Sequence, residues 1–166
     1  IIEWDNLPRI FDLYFRFDSH GELINLNNIQ NFVNICLKNP KTSFTLWSKR
    51  FDLIKKFFDN NKKPENLILI YSNSKLNKPL NKLPQYFDKT FNNVIKLNYK
   101  SYYNQNTMFI PKKDITKELK TKIKNDYESY KNNFDKDNNI NCFQKCIDCL
   151  LCYTKNNVKT IIEKTK

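Results

Sequence analysis

The sequence predicts an α/β fold on a parallel sheet, either a partial (β/α) barrel or an open sheet, with a Cys-rich segment near its C-terminal end. Three observations predict it. Short β-like runs alternate with stretches whose apolar residues recur every three or four positions, in the order β-α-β-α-β. The third run, residues 67–71, carries no charge, as a strand buried on both faces requires. The connections are short, and amphipathic helices joining apolar strands imply parallel pairing with right-handed crossovers.

The first strand lies within residues 10–17, and Tyr14, Phe15, Arg16 and Phe17 are its most β-like part. Residues 18–22 break the pattern and hold the only glycine, Gly21, so a turn with positive φ is expected there. Leu26, Ile29, Phe32, Val33, Cys36 and Leu37 then form a helical face, capped by Asn27 or Asn28 and closed at Asn39 and Pro40. Cys36 sits on that apolar face and reads as core. Residues 43–47 form the second strand. Phe51, Ile54, Phe57 and Phe58 mark a second helix, ended by Asn60 and Asn61. Pro79 and Pro84 make the stretch after the third strand a loop, and residues 94–97 form a weaker fourth strand. Ile115, Leu119, Ile123, Tyr127 and Tyr130 predict one further helix, opened by Asp114 or Thr116. Residues 132–141 read as loop and residues 153–166 as a tail. The organisation is a βα-repeat core over 1–100, a helical and loop extension over 101–137, and a Cys-rich metal- or cluster-binding segment with its tail over 138–166. A length of 166 residues suits one domain.

The net charge of +12 invites a nucleic-acid partner, because clustered cations neutralise phosphates. Yet all but three of the 29 basic residues are lysines, interleaved with acids and accompanied by many Asn and Ile. That pattern fits a compositional bias and a solvated surface better than a polyanion site. Nucleic acid is therefore not favoured as a partner. One aromatic–basic stretch, Lys96, Tyr99, Lys100, Tyr102 and Tyr103, could stack bases. No apolar run approaches the roughly 20 residues that span a bilayer, so no membrane is expected. The start carries no signal-peptide pattern and no Met, which suggests a fragment of a longer chain. Clustered cysteines point to a reducing cytoplasm rather than a distributed disulfide framework.

Cys142, Cys146, Cys149 and Cys152 form a C-x3-C-x2-C-x2-C run. Four thiolates in so short a stretch suit a soft metal centre, a [4Fe–4S] cluster or, as the alternative, zinc. Zinc sites more often use two well-separated ligand pairs. The first three cysteines match the C-x3-C-x2-C spacing of radical S-adenosylmethionine enzymes. The same residues also fit one face of a packing helix. A straight helix would hold Cys142 and Cys152 about 15 Å apart. Ligation therefore demands that the segment wrap, with at most one helical turn.

The segment Tyr14-Phe15-Arg16-Phe17-Asp18-Ser19-His20-Gly21-Glu22-Leu23 resembles the F-R-x-H-x-S-G-D-F element of the gene product 88-like proteins of phages, plasmids and bacteria. Phe44 to Arg50 resembles that family's strand ending in Thr-Lys/Arg, and Asn66 to Ser72 its next strand ending in Ser. Cys146-Ile147-Asp148-Cys149-Leu150-Leu151-Cys152-Tyr153 is similar to its terminal C-x2-C-x2-C-aromatic element. The family His falls on Asp18, its Ser on His20 and its acidic position on Glu22. The resemblance implies a shortened radical-S-adenosylmethionine-type barrel, with S-adenosylmethionine as a cofactor. It also implies a Cys-rich segment ahead of the first strand, which the residues before Ile10 do not supply.

Function in parallel α/β sheets gathers at the C-terminal ends of the strands. Asp18, His20 and Glu22 lie there as candidate acid–base groups, though a lone His in a loop is as often a surface residue. Arg16, Ser48, Lys49 and Arg50 are the candidates for an anionic cofactor or other small ligand, the last three at a helix start. Ion pairing or simple solvation would account for the same cations. No P-loop, G-x-S-x-G, H-E-x-x-H or dinucleotide glycine pattern occurs. The reading is an iron–sulfur-binding, radical-S-adenosylmethionine-like protein of a mobile element. Its alternative is a zinc-stapled, basic nucleic-acid-binding or interaction module without catalysis.

Overall fold

Alternating apolar strands and amphipathic helices build the sheet in chain order. The computed structural model describes residues 1–18, 21–80, 82–95, 116–134, 141–142 and 146–165. Its elements are β1 (Tyr14–Phe17), α1 (Leu26–Lys38), β2 (Ser43–Ser48), α2 (Phe51–Phe58), β3 (Leu67–Ser72), β4 (Lys89–Ile95), α3 (Lys117–Phe134), α4 (Cys146–Cys149) and β5 (Thr160–Thr165). Among the described residues the five strands form one all-parallel sheet in the order β1-β2-β3-β4-β5. It is not closed into a barrel, so of the two predicted architectures the open sheet is found.

The chain divides into two compact units. The first joins Ile1–Ser72, Lys82–Thr90 and Lys145–Lys159; the second joins Asn73–Asn81, Phe91–Gln144 and Thr160–Lys166. Much of the Cys-rich segment thus belongs to the same unit as the first three strands.

In the first unit Phe44 pairs with Phe15 and Leu67, and Leu46 with Phe17 and Leu69. These residues point to one face and pack with Ile29, Val33 and Cys36 of α1 and Ile54, Phe57 and Phe58 of α2. Both helices therefore cover the same face, as right-handed crossovers between consecutive strands require. Phe17 stacks on Phe44 at 5.1 Å and on Phe32 at 4.4 Å. Cys36 is fully buried in this cluster, as expected, and burial pushes its thiol far up.

The cap of α1 is Asn25 rather than Asn27 or Asn28. The Asn28 backbone N–H donates to Asn25 Oδ1 at 3.1 Å, and the Asn25 N–H donates to Asn28 Oδ1 at 3.3 Å. This reciprocal pair satisfies two donors at once, which a single cap cannot do. At the other end Asn39 is buried. Its Nδ2 donates to Ile35 O and Pro8 O, and its Oδ1 accepts from Ile10 N at 2.7 Å. One amide thus closes α1 and fixes the segment leading into β1.

In the second unit Tyr127 and Tyr130 of α3 bury against Val94 and Ile162. Thr116 Oγ1 accepts from Leu119 N at 3.2 Å, which makes Thr116 the start of α3. Three elements depart from the sequence reading. α3 runs to Phe134, into the residues 132–141 read as loop. The fourth strand begins at Lys89, earlier than the apolar run that predicted it. The expected tail holds β5, whose Ile161 and Ile162 are buried. The aromatic–basic stretch at 96–103, with Leu97, Asp114 and Ile115, lies outside the described residues. No described helix is long and apolar enough to cross a membrane.

Leu69 is fully buried in the first unit. Leu69→Ala should cost about 2–5 kcal/mol in urea unfolding. Phe11, 92% exposed, is the control, and Phe11→Ser should stay within about 0.5 kcal/mol.

Candidate metal centre

The strand residues that alternate with the helix-side core present a second face. Arg16 pairs with Thr45, Thr45 with Ile68, Trp47 with Ile70, and Tyr14 with Ser43. The C-terminal turn of the first unit folds onto it. Ser43 Oγ donates to Tyr153 O at 2.7 Å, and Thr45 Oγ1 to Cys152 O at 2.9 Å. Lys89 Nζ donates to Leu151 O at 2.5 Å and to Asn156 Oδ1 at 2.7 Å. Three consecutive carbonyls, 151 to 153, are each held by a side chain from the sheet. The Tyr14 ring meets Tyr153 edge-on at 5.8 Å.

The turn wraps because its helix stops after one turn. Leu150 N donates to Cys146 O at 3.0 Å, and Leu150 then takes a left-handed φ of 51°. That conformation is costly for a side chain with Cβ, so the surrounding bonds hold it. Tyr153 N and Thr154 Oγ1 both donate back to Leu150 O, at 2.9 and 3.0 Å. Among the described residues the helix covers only Cys146–Cys149, so no straight helix joins Cys146 to Cys152.

All five cysteines are free of disulfides; Cys146 is exposed, Cys149 half-buried and Cys152 buried. Cys142 belongs to the second unit, where it bridges to Glu163. Among the described residues no group of three or more His, Cys, Asp or Glu stands close enough to hold a metal ion. Cys146, Cys149 and Cys152 are donor types that a soft metal takes, carried on one docked turn, but they do not converge into such a group.

Two cations, Arg16 and Lys89, lie near the turn. Arg16 lies over the Trp47 ring, 4.1 Å from its centroid, and its buried Nε has no hydrogen-bond partner. Lys89 is only 2% exposed. It is held by a carbonyl and an amide rather than by a carboxylate. Burial lowers its ammonium below the usual lysine range, and the nearby Cys152 opposes that shift. Burial raises the Tyr153 hydroxyl; neighbouring Cys146 adds to this and Arg16 opposes it.

The strand-end candidates gather elsewhere and satisfy one another. Glu22 accepts from Ser48 Oγ at 2.5 Å, from Lys49 N at 2.8 Å and from Leu23 N at 2.9 Å. Ser48 Oγ in turn accepts from Arg50 N at 2.9 Å. Arg50 pairs with Asp52 through both Nε and Nη2, and its Nη1 donates to Leu23 O. The protein's own carboxylate thus takes the donors at the start of α2 that were expected to meet a cofactor. Asp18 is the residue with positive φ, 45°, whereas Gly21 has none. Aspartate tolerates that region better than most side chains, so the turn does not need the glycine. Burial and the nearby Glu22 raise the Asp18 carboxyl above its usual range. His20 and Ser19 lie outside the described residues.

A family model described as gene product 88 matches residues 5–155. The chain belongs to the gene product 88 family. The match runs from before β1 to just past Tyr153, so it takes in Arg16, Thr45, Lys89 and all four clustered cysteines of this gene product 88 protein. No curated protein and no solved structure matched the chain.

Sequence reasoning found the cysteines and Arg16 but not Ser43, Thr45, Trp47 or Lys89. For the first three a signal existed: they alternate with core residues along β2 and so had to face the other side. Lys89 had none, being one lysine of many.

Glu22→Ala should destabilise the fold by about 1–2 kcal/mol in chemical denaturation, since it strands Ser48 Oγ and the Lys49 N–H. Asp18→Asn should act oppositely. The raised Asp18 carboxyl holds its proton more tightly in the folded chain, so wild-type stability falls as pH rises from the ordinary aspartate range through the raised value. The melting temperature of Asp18→Asn should exceed wild type at neutral pH, and the gain should vanish below the ordinary aspartate range.

Proposed function

We propose that this gene product 88 protein binds a soft-metal centre, an iron–sulfur cluster in the first instance, through Cys146, Cys149 and Cys152. Cys142 completes the C-x3-C-x2-C-x2-C set in sequence. The observation that carries the reading is the turn itself. One helical turn and the left-handed Leu150 bend the segment, and Ser43, Thr45 and Lys89 dock three of its carbonyls on the sheet. A packing helix needs neither device. When bound, an iron–sulfur cluster supplies one-electron chemistry. The chain's residues would hold it through thiolates, with Arg16 and Lys89 meeting the negative charge.

The family resemblance extends this to S-adenosylmethionine chemistry, which needs a cluster with one iron left open, as a three-cysteine set would provide. The second reading is zinc, which would make the turn a structural staple for a binding module. The same docking bonds favour it, since a staple gains from a turn already fastened to the sheet.

Anaerobic purification with iron, acid-labile sulfide and zinc assays decides between them. Iron and sulfide together, with broad visible absorption lost in Cys146→Ser, Cys149→Ser and Cys152→Ser, support the cluster. A spectral change on adding S-adenosylmethionine would support its binding to an open iron. Zinc without sulfide supports the staple. A metal-free wild type whose triple Cys→Ser variant melts at the same temperature overturns both.

A further inference from the structure

Phe11, Leu13, Phe15 and Phe17 alternate with Asp12, Tyr14 and Arg16, which is a strand pattern. Only Tyr14–Phe17 enter the ladder, because β2 begins at Ser43, the register partner of Tyr14. Ahead of them Phe11 is 92% and Leu13 70% exposed. β1 ends the sheet order, so β2 is its one strand neighbour among the described residues. Ser43 N donates to Leu13 O at 2.8 Å. Leu13, Phe15 and Phe17 therefore turn their backbone groups to β2, and Tyr14 and Arg16 turn theirs outward. An outward row of this kind is a template for another strand. Asp12 is exposed beside it, and the buried Arg16 Nε has no hydrogen-bond partner.

We propose that two copies of the chain pair through this edge, antiparallel about a two-fold axis at Tyr14. The charges choose both the occupant and the register. Outward groups must face outward groups, so the axis can pass through Leu13, Tyr14, Phe15 or Arg16. At Leu13 it sets Asp12 against Tyr14 and Arg16 against Ile10. At Phe15 it sets Asp12 against Asp18, and at Arg16 it sets the guanidinium against its own copy. Only the axis at Tyr14 sets Asp12 of each copy against Arg16 of the other, twice over, as an isologous contact requires. The same register sets Leu13 against Phe15 and Phe11 against Phe17. The two exposed apolar side chains then continue the helix-side core, to which Phe17 belongs and on which Phe15 packs. The outward backbone groups of the two Tyr14 residues bond to each other. Thr42 Oγ1 already donates to Asp12 O at 2.8 Å, so at that position the side chains carry the pairing. A strand of another protein would need the matching pattern, whereas a second copy has it by symmetry. Nothing in this pairing depends on a metal at the C-terminal turn.

The test is sedimentation velocity of the full chain over a concentration series under reducing conditions. So short a ribbon buries less than the roughly 1,200 Å² of a stable interface, so a weak, reversible monomer–dimer equilibrium is expected. Asp12→Lys changes an exposed side chain and sets like charges against each other at both contacts. It should weaken the dimer roughly 10-fold or more. Arg16→Asp should do the same. An equimolar mixture of these two variants should pair again, because both contacts then join opposite charges. Arg16→Asp could fail to fold, and in that case Asp12→Lys and Phe11→Ser decide. Phe11→Ser leaves the protomer's own stability nearly unchanged and should still weaken the dimer. A wild type that stays monomeric at every concentration overturns the proposal and leaves the edge to a strand of another protein. A dimer as tight in Asp12→Lys as in wild type also overturns it, since the copies then meet through another face or register.

Discussion

A parallel sheet has two faces to cover and helices for only one of them when its strands follow in sequence order. Right-handed crossovers place α1 and α2 on the same side, where Phe44, Leu46, Leu67 and Leu69 meet them. The opposite face of the first unit, with Arg16, Thr45 and Trp47, receives the C-terminal turn instead. A turn with so little regular structure brings carbonyls that need donors. Ser43, Thr45 and Lys89 supply them at three successive residues. The rest of the candidate centre depends on this docking, because it brings Cys152 and its neighbours against the sheet.

The two polar clusters of the first unit differ in how their charges are met. At the strand ends Glu22 answers Ser48 and Lys49, and Asp52 answers Arg50, so the cluster is closed on itself. That arrangement stabilises the β2–α2 junction and leaves little for an anionic ligand to gain. On the second face the cations meet a ring, a carbonyl and an amide. An unbroken strand order also lacks the reversal at which open α/β sheets form their usual ligand crevice.

Several elements were legible because local chemistry and tertiary packing agreed. The uncharged run of β3 could only be a buried strand, and the apolar periodicities of α1 and α2 had only one face to bury. The wrapped Cys segment was legible as a condition, since ligation and a straight helix are geometrically incompatible. Other features were hidden where local signals were weak or shared. Asn25, Asn27 and Asn28 are chemically alike as caps, and only the reciprocal bond chose among them. Gly21 drew the positive φ on propensity, whereas the backbone path put it on Asp18. In β5 two adjacent isoleucines amid polar residues have no strand period, and burial of both came from their surroundings.

From the sequence alone follow the parallel α/β class, the identity of the core, and a dense set of thiols near the carboxyl end. These rest on periodicity and residue type, which act over a few neighbouring positions. The tertiary structure decided that the sheet stays open, that Glu22 fills the start of α2, and that Lys89, some 60 residues from the turn, fastens it. Such pairings are set by which strands lie side by side. No local pattern in the chain encodes the meeting of a lysine on β4 with the carbonyl of Leu151.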